Sequence, residues 1–336
     1  MTVIAIRLSS LGDIAIMIAP LYSVARRYHG DRFFAVVKEP FAKLFINKPE
    51  NLFVIAARTE DRHRGFFGIL RLFFDIKKSF EGKALIADLH GSVRSKILSL
   101  LFRLTGAKTA SINKARSEKK ALTRMKKKLL KPLKTTLERY QDVFTALDYD
   151  ASLKFTSIFE GKNAHSGIWI GIAPFAKHIG KTYPPDLMRK VIETLSRRSD
   201  VKLFLLGGAN ERGILQEWEK TYANTQSTAG KLSFDDEMRL ICDLDLMITM
   251  DSANLHLASL TATTAVSIWG ATHPFAGFYG FNQSMQNAIG LPLSCRPCAI
   301  YGQKRCFKGS YECMKLIDPL VIVDRVLKNI ARPPIQ

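Results

Sequence analysis

Residues 2–13 read TVIAIRLSSLGD, an apolar run followed by a short polar loop, and lead into an amphipathic stretch that ends at Tyr28. The apolar run at 2–8 is typical of a buried strand, and the apolar residues that follow recur at helical spacing. Strands that alternate with helices indicate an α/β fold with a parallel sheet covered by helices. Similar apolar runs predict further strands at 33–37, 52–55 and 84–88.

The second half of the chain repeats this pattern after a polar segment at 159–166. A chain of 336 residues is too long for one ordinary core. We therefore predict two Rossmann-like, doubly wound domains at 1–160 and 161–336, facing a cleft lined by the loops at the carboxyl ends of the strands. The C-terminal helix is a candidate to pack back on the first domain. Strands are predicted at 168–172, 201–206, 246–249 and 265–269, and helices at 185–198, 211–222 and 251–260.

The formal net charge of +20 is unevenly distributed along the chain. Residues 1–160 contain 30 Lys and Arg against 15 Asp and Glu, whereas the remaining residues contain 20 against 15. Such an excess indicates an anionic partner, met mainly by the first half. The sequence has no apolar run long enough to span a bilayer and no leader-like start, so we expect a cytoplasmic protein.

Residues 114–134 contain ten basic residues and one acidic residue, with scattered leucines, and predict a mobile basic arm. The arm could lie peripherally on the anionic inner face of the cytoplasmic membrane or could be a solubilising helix, and both interpretations remain open. A nucleic-acid-binding protein is a third interpretation. It is disfavoured because the segment has no Phe, Tyr or Trp to stack on bases.

Asp13 ends the first loop, close to Ser10, where helix amides can hold an anion and a carboxylate can accept a proton. A helix cap explains the same residues, since Asp and Ser are favoured at that position. Neither a GxxxxGKS nor a GxGxxG pattern follows the strand, which disfavours NTPases and dinucleotide oxidoreductases.

Two loops of the second half carry residues that could bind a phosphorylated ligand. Lys181 and Thr182 follow a predicted strand, and their cation and amides could hold a diphosphate. Glu211 follows the Gly207-Gly208 turn and could accept hydrogen bonds from ribose hydroxyls. Each loop could equally be an ordinary polar connection.

Residues 250–258 read MDSANLHLA and open a helix after a buried strand. The amides of Ser252 and Ala253 would point towards a ligand phosphate, and Asp251 can bind sugar hydroxyls. His256 either joins them or is a structural histidine of the core.

Four of the five cysteines fall within nineteen residues. In a cytoplasmic protein such a cluster indicates a metal site or reduced packing thiols rather than disulfides. The first spacing, Cys-x2-Cys, is that of a structural zinc site, but the second pair lacks it, so both interpretations remain open. The cysteines are Cys295, Cys298, Cys306 and Cys313.

These motifs, taken together and in order along nearly the whole chain, resemble glycosyltransferase family 9, which contains the ADP-heptose:lipopolysaccharide heptosyltransferases. The resemblance implies a GT-B fold and an inverting transfer that requires no metal cofactor. It also implies ADP-heptose as donor, and as acceptor the acidic, lipid-linked inner core of lipopolysaccharide or lipooligosaccharide. The motifs that carry it are Ser9–Asp13, Asp88–Gly91, Lys181–Pro184, Asp251–His256 and Trp269–Thr272.

Position by position, Asp13 resembles the family's general base, Lys181 its donor-diphosphate lysine and Asp251 the acid that holds the donor sugar. The first domain would bind the acceptor and the second the nucleotide sugar. A different nucleotide-sugar donor within the same family is the alternative, because nothing in the sequence identifies the sugar or the base. Implied donor contacts are Lys181, Thr182, Glu211, Asp251, Ser252, Ala253 and His256. Candidate acceptor contacts are Ser10, His90, Arg62, Arg64, Arg94 and Arg139.

Overall fold

The computed structural model describes residues 1–331, which divide into two compact units. The first unit consists of Met1–Ala115 and Lys134–Ile158. The second consists of Arg116–Leu133 and the chain from Phe159 onward. Each unit is built on its own parallel sheet.

The helices and strands follow one another as the alternating pattern predicts. The strands are β1 (Thr2–Ile6), β2 (Arg32–Lys38), β3 (Leu52–Ala57), β4 (Ala84–Asp88), β5 (Lys108–Ser111), β6 (Ile168–Ala173), β7 (Val201–Leu205), β8 (Thr225–Ser227), β9 (Leu246–Met250), β10 (Thr264–Ile268) and β11 (Ala288–Ile289). The helices are α1 (Leu11–Arg27), α2 (Gly65–Lys77), α3 (Val93–Leu104), α4 (Arg116–Thr123), α5 (Thr136–Thr145), α6 (Pro185–Ser196), α7 (Arg212–Thr221), α8 (Phe234–Asp243), α9 (Ala253–Leu260), α10 (Glu312–Lys315) and α11 (Pro319–Ile330). Within residues 1–331, none of these helices has both the length and the apolar character needed to cross a bilayer.

The first sheet has the strand order β3-β2-β1-β4-β5, with all its strand pairs parallel. β1 lies inside the sheet because its residues up to Ile6 are apolar or small and can be buried on both faces. Ile4 of β1 pairs with Phe34 of β2 and Ile86 of β4, and these residues form one core cluster with apolar side chains of α2 and α3.

The second sheet has the strand order β11-β10-β9-β6-β7-β8. Counted within this unit, that is the 3-2-1-4-5-6 order of dinucleotide-binding folds, read from the other edge. The C-terminal helix α11 packs against α6, and its Ile322 and Val326 are buried in the core of this unit. The fold therefore has the predicted class, two doubly wound α/β sheets of the GT-B type.

The segment 116–133, predicted to be mobile, is docked on the second unit. The loop between β11 and α10, residues 290–311, contains three of the clustered cysteines, and we call it the cysteine loop. Lys128 Nζ donates hydrogen bonds to three of its backbone carbonyl oxygens, at 3.1 Å to Ser294, 2.6 Å to Cys295 and 3.0 Å to Pro297. An ammonium group has three protons to donate, so this arrangement uses all of them. The prediction of a free arm missed this docking because the carbonyl partners lie more than 160 residues along the chain.

Two further contacts hold the same segment. Lys119 Nζ lies 4.5 Å from the ring centroid of Phe278, and the amide of Leu133 donates to the carbonyl of Phe275 at 2.9 Å. The segment contains eight basic residues and one acidic residue. Segment 116–133 thus carries a net charge of +7 and belongs to the second unit, so the charge of residues 1–160 is not concentrated in the first unit as the linear count suggested.

Candidate active site

In each sheet two of the predicted site residues follow the two neighbouring strands at which the strand order reverses. In the first sheet these strands are β1 and β4, which Asp13 and His90 follow. In the second they are β6 and β9, which Lys181 and Asp251 follow. Parallel sheets bind ligands outside the carboxyl ends of strands at such a switch point, so each unit presents its candidate residues where a ligand is expected.

Asp13 lies in the first turn of α1 with its carboxylate held by protein donors. Ser10 donates to Asp13 Oδ2 from its hydroxyl at 2.8 Å and from its amide at 3.2 Å, and Arg7 forms an ion pair with the same oxygen. Burial would raise the pKa of Asp13, but the charge of Arg7 and the Ser10 hydrogen bonds outweigh burial and lower it. The carboxylate is therefore ionised at neutral pH, as a proton acceptor must be.

Arg7 was not among the predicted site residues. Its side chain is only 10% exposed, and Nη1 donates to the carbonyl oxygen of Leu89 at 2.9 Å. Arg7 thus joins the loop after β1, through Asp13, to the loop after β4. A buried cation needs compensating partners. The lone basic residue in the apolar run 2–8 was therefore the signal that could have identified it.

His90 lies in a turn that Asp88 holds in place. Asp88 Oδ1 accepts hydrogen bonds from the amides of His90 at 3.0 Å and Gly91 at 2.8 Å, and Gly91 has the left-handed φ of +58° that this turn requires. Burial, with the charges of Arg7 and Lys114, lowers the pKa of His90 to about 4. His90 is therefore neutral at pH 7. Its Nδ1 lies 3.3 Å from Ser92 Oγ, which leaves Nε2 to form a hydrogen bond with a sugar hydroxyl.

Arg62, a candidate acceptor contact, is engaged by the protein itself. Its guanidinium makes a two-pronged contact with Asp75, at 2.9 and 2.8 Å, and His63 Nε2 lies 3.0 Å from the same carboxylate. Hydrogen bonds from Arg62 and His63 lower the pKa of Asp75 to about 2. The contacts of Arg62 and His63 with Asp75 hold the turn before α2 in place.

Arg139 is buried and joins the two points where the chain leaves and re-enters the first unit. It donates to the carbonyl of Lys134 at 3.0 Å and to that of Asn113 at 3.2 Å. Arg62 and Arg64 are exposed and Arg94 is half-buried, so Arg139 is the one buried residue among the four predicted acceptor arginines.

Lys181 and Asp251 form the centre of the candidate site in the second unit. Lys181 Nζ lies 2.8 Å from Asp251 Oδ2, with 16% and 6% of the two side chains exposed. Gly302 lies directly against Lys181. A Cβ atom at Gly302 would be 2.4 Å from Lys181 Cγ, and its φ of +76° is in the left-handed region. Only glycine therefore fits beside the stem of this lysine.

The start of α9 adjoins this pair. Ser252 is the N-cap residue, and its hydroxyl accepts a hydrogen bond from the amide of Asn254 at 3.3 Å. Ala253 is the first helical residue, so no bulky side chain stands at the free amides of the first turn. His256 is 6% exposed and lies on the same helix.

Thr182 and Glu211 hold their own loops. Thr182 Oγ1 donates to the carbonyls of Ala176 and His178, each at 3.2 Å. The Glu211 carboxylate accepts a hydrogen bond from the amide of Gly208, which closes the turn after β7. Either side chain would have to keep these hydrogen bonds while it contacts a nucleotide sugar.

Asp-x-Asp pairs commonly anchor a metal-bound diphosphate in other transferases, and the chain contains two. Asp148 pairs with Lys108 and Asp150 with Arg27. In the other pair, Asp243 accepts hydrogen bonds from Asn163 and Arg239, and Asp245 accepts one from the amide of Trp169. All four carboxylates thus have protein partners that stabilise local structure.

The four clustered cysteines line one recess of the second unit. Among residues 1–331, however, no three His, Cys, Asp or Glu side chains are placed to hold a metal ion, so the structure does not support the predicted zinc site. Burial raises the pKa of Cys298 and raises that of Cys313 to about 11, so both are protonated thiols at neutral pH. All four, Cys295, Cys298, Cys306 and Cys313, are free thiols.

The cysteine loop also contains Arg296, a buried residue that holds a neighbouring loop in place. Its buried guanidinium donates to the carbonyls of Trp269 at 2.8 Å, Gly270 at 2.5 Å and Thr272 at 3.2 Å. These carbonyls belong to the loop after β10, and Ala271 in that loop donates its amide to Gly180 beside Lys181. Arg296 therefore holds the loop after β10 in place, and that loop in turn holds the backbone next to Lys181.

Comparison with known proteins gives consistent matches. The family model of glycosyltransferase family 9 (heptosyltransferase) matches residues 74–305. Lipooligosaccharide heptosyltransferase 2 of Campylobacter jejuni subsp. jejuni serotype O:6 is 23% identical over 323 residues, which cover 95% of this chain and 96% of the relative.

Solved structures agree over 98% of the chain. A family 9 glycosyl transferase from Veillonella parvula has a TM-score of 0.75 at 16% identity, with 97% of it covered. The E. coli heptosyltransferase WaaC with ADP has a TM-score of 0.72 at 17% identity, and is covered completely. WaaC has also been solved with ADP-2-deoxy-2-fluoro heptose, with a TM-score of 0.69. At these identities the structural likeness establishes the fold, whereas the family match covers more than half of the chain. The chain therefore belongs to glycosyltransferase family 9, the heptosyltransferase family, and is a glycosyltransferase.

Proposed function

We propose that this glycosyltransferase moves heptose from ADP-heptose to the inner core of lipopolysaccharide or lipooligosaccharide, with inversion at the anomeric carbon and without a metal cofactor. The observation that carries the proposal is the Lys181–Asp251 pair at the switch point of the second sheet, next to the free amides of α9. It provides a cation and helix amides for a diphosphate and a carboxylate for sugar hydroxyls. The ADP and ADP-sugar complexes of WaaC support the choice of donor.

In the proposed reaction the first unit binds the acceptor and the second binds the donor. Asp13 removes the proton of the acceptor hydroxyl while that oxygen forms a bond to the anomeric carbon and the bond to the diphosphate oxygen breaks. Lys181 and the α9 amides stabilise the charge that develops on the departing ADP. In this proposal neutral His90 forms a hydrogen bond with the acceptor sugar.

A donor screen tests this proposal. Purified protein is incubated with a core-truncated acceptor and with ADP-heptose, ADP-glucose or UDP-sugars, and transfer is followed by mass spectrometry. We expect product with ADP-heptose and thermal stabilisation by ADP but not by an oligonucleotide. Transfer from another nucleotide sugar alone would establish the alternative donor, and an absence of response to every nucleotide diphosphate would contradict the assignment.

A further inference from the structure

The outer surfaces of α2 and α3 face the same way. Both helices cover one side of the first sheet, because side chains from each enter the core cluster that contains Ile4 and Ile86. They also pack against each other through Phe73 and Phe102, whose ring centroids are 4.7 Å apart. The sides of the two helices that point away from the sheet therefore form one continuous surface, which we call the α2–α3 face.

The α2–α3 face exposes large apolar side chains. Phe67 and Phe74 are two helical turns apart on α2, and Val93, Leu100 and Leu104 recur at helical spacing on α3. Phe67 is 74% exposed, and Val93 and Leu104 are each 77% exposed. Contiguous exposed apolar residues on two packed helices mark an interaction surface rather than the scattered exposure that is normal for soluble proteins.

Basic residues stand between these apolar ones. Arg71 and Lys78 alternate with Phe67 and Phe74 along the same side of α2, and Lys96 is exposed on α3. The only acidic residue in the two helices is Asp75, whose carboxylate is already bound by Arg62 and His63. The α2–α3 face therefore carries a net positive charge.

The turn that precedes α2 holds the first part of this surface rigidly. Gly68 packs against the backbone of His63 so closely that a Cβ atom would lie 2.1 Å from the His63 carbonyl carbon. The amide of Arg58 donates to His63 Nδ1 at 2.9 Å, and His63 Nε2 contacts Asp75 at 3.0 Å. These contacts hold in place the first turn of α2, from which Phe67 projects.

We propose that the α2–α3 face lies on an anionic phospholipid surface, with its apolar side chains at the boundary of headgroups and acyl chains and its basic side chains at the lipid phosphates. A second copy of the chain would oppose like charges. Nucleic acid would leave Val93, Leu100 and Leu104 unused, because base stacking requires aromatic planes. Membrane contact would give the enzyme access to a lipid-linked acceptor, and only this role rests on the proposed function.

Vesicle sedimentation with the full chain tests the proposal without donor or acceptor, so it can fail independently of the proposed function. We expect binding to vesicles of phosphatidylcholine with phosphatidylglycerol and little binding to phosphatidylcholine alone. Phe67→Ser with Phe74→Ser, and separately Arg71→Glu with Lys78→Glu, should each weaken binding by about tenfold or more. The circular dichroism spectrum and the thermal unfolding midpoint should be unchanged in both variants, which shows that they fold. The matched control is Lys126→Glu with Lys127→Glu in segment 116–133, which should bind as the original protein does.

A second measurement reports how deeply the side chain at position 67 enters the lipid bilayer. In a Phe67→Trp variant, tryptophan emission should shift to shorter wavelength on anionic vesicles and be quenched by lipids brominated near the headgroup. The proposal is overturned if the unaltered protein does not bind anionic vesicles, if both α2 variants bind normally, or if only the 126/127 control loses binding. Displacement of the protein from vesicles by an oligonucleotide at low concentration would point instead to a nucleic-acid surface.

Discussion

Lys181 Nζ lies 2.8 Å from Asp251 Oδ2, and the two residues follow adjacent strands, β6 and β9, at the reversal point of the second sheet. The pair is mostly buried, so each charge depends on the other. A donor diphosphate would offer Lys181 a second anionic partner, while Asp251 would turn to the sugar hydroxyls. The pair therefore holds both side chains in position before the donor arrives.

Substitution of either partner should affect stability and donor binding together. Lys181→Ala should lower the free energy of unfolding by about 3–5 kcal/mol, because it leaves Asp251 buried without its cation. The double variant Lys181→Ala with Asp251→Asn should recover much of that stability but not ADP binding. Urea unfolding and calorimetry measure the two effects. A loss of stability in the double variant equal to the sum of the losses in Lys181→Ala and Asp251→Asn alone would show that the residues are not coupled.

Gly302→Ala tests how Lys181 is positioned. The new methyl group would collide with the Lys181 stem, and a displaced cation should slow transfer by on the order of 100-fold. Gly309→Ala is the matched control, since Gly309 also has a left-handed φ, of +72°, but has no atom within 4 Å of the added methyl. Both variants carry the same backbone strain, so a steady-state rate that falls equally in both would discount the contact with Lys181.

Asp13→Asn should reduce turnover by roughly 100- to 10,000-fold while leaving the Kd for ADP almost unchanged, because the base acts on the acceptor. Steady-state kinetics and calorimetry separate the two quantities. Asp142→Asn serves as the control, since Asp142 is an exposed carboxylate of the same unit that pairs with Lys134. Normal turnover in Asp13→Asn would exclude this residue as the base.

Arg7→Met should change the pH dependence of turnover. With Arg7 present the pKa of Asp13 is lowered, so the base is ionised and the rate should not decline until the pH falls below the ordinary range of a carboxyl group. Without Arg7, only the Ser10 hydrogen bonds still oppose the effect of burial, so that pKa should rise and the acidic limb of kcat against pH should move to higher pH. Arg7→Lys should restore most of the original profile, and an unshifted limb in Arg7→Met would show that Arg7 only shapes the loop.

Lys128→Met should loosen segment 116–133, because the carbonyls of Ser294, Cys295 and Pro297 lose their common donor. We expect stability to fall by about 1–3 kcal/mol and trypsin to cleave the segment faster. Lys126→Met removes one exposed tryptic site in the same segment and is the control. Equal cleavage rates in the two variants would argue against the docking.

Local sequence patterns were enough to predict the alternating strands and helices, because burial on both faces of a parallel strand requires a continuous apolar run, as in 2–6 and 246–250. The short edge strands β5, β8 and β11 were missed. Three of the four residues in Lys108–Ser111 and all three in Thr225–Ser227 are polar, so neither strand has the apolar run that predicts a buried strand.

Sequence by itself determined the fold class, the family and the four loops at which candidate residues stand, since apolar periodicity and short motifs are local properties of the chain. Only the tertiary structure decided which side chains meet. The strand order places Lys181 beside Asp251, and Arg7 joins Asp13 to the loop that contains Leu89. Lys128, which comes from the first half of the sequence, donates to carbonyls of the cysteine loop in the second unit. These pairings join distant segments through ion pairs and hydrogen bonds, whose geometry depends on the whole packed fold.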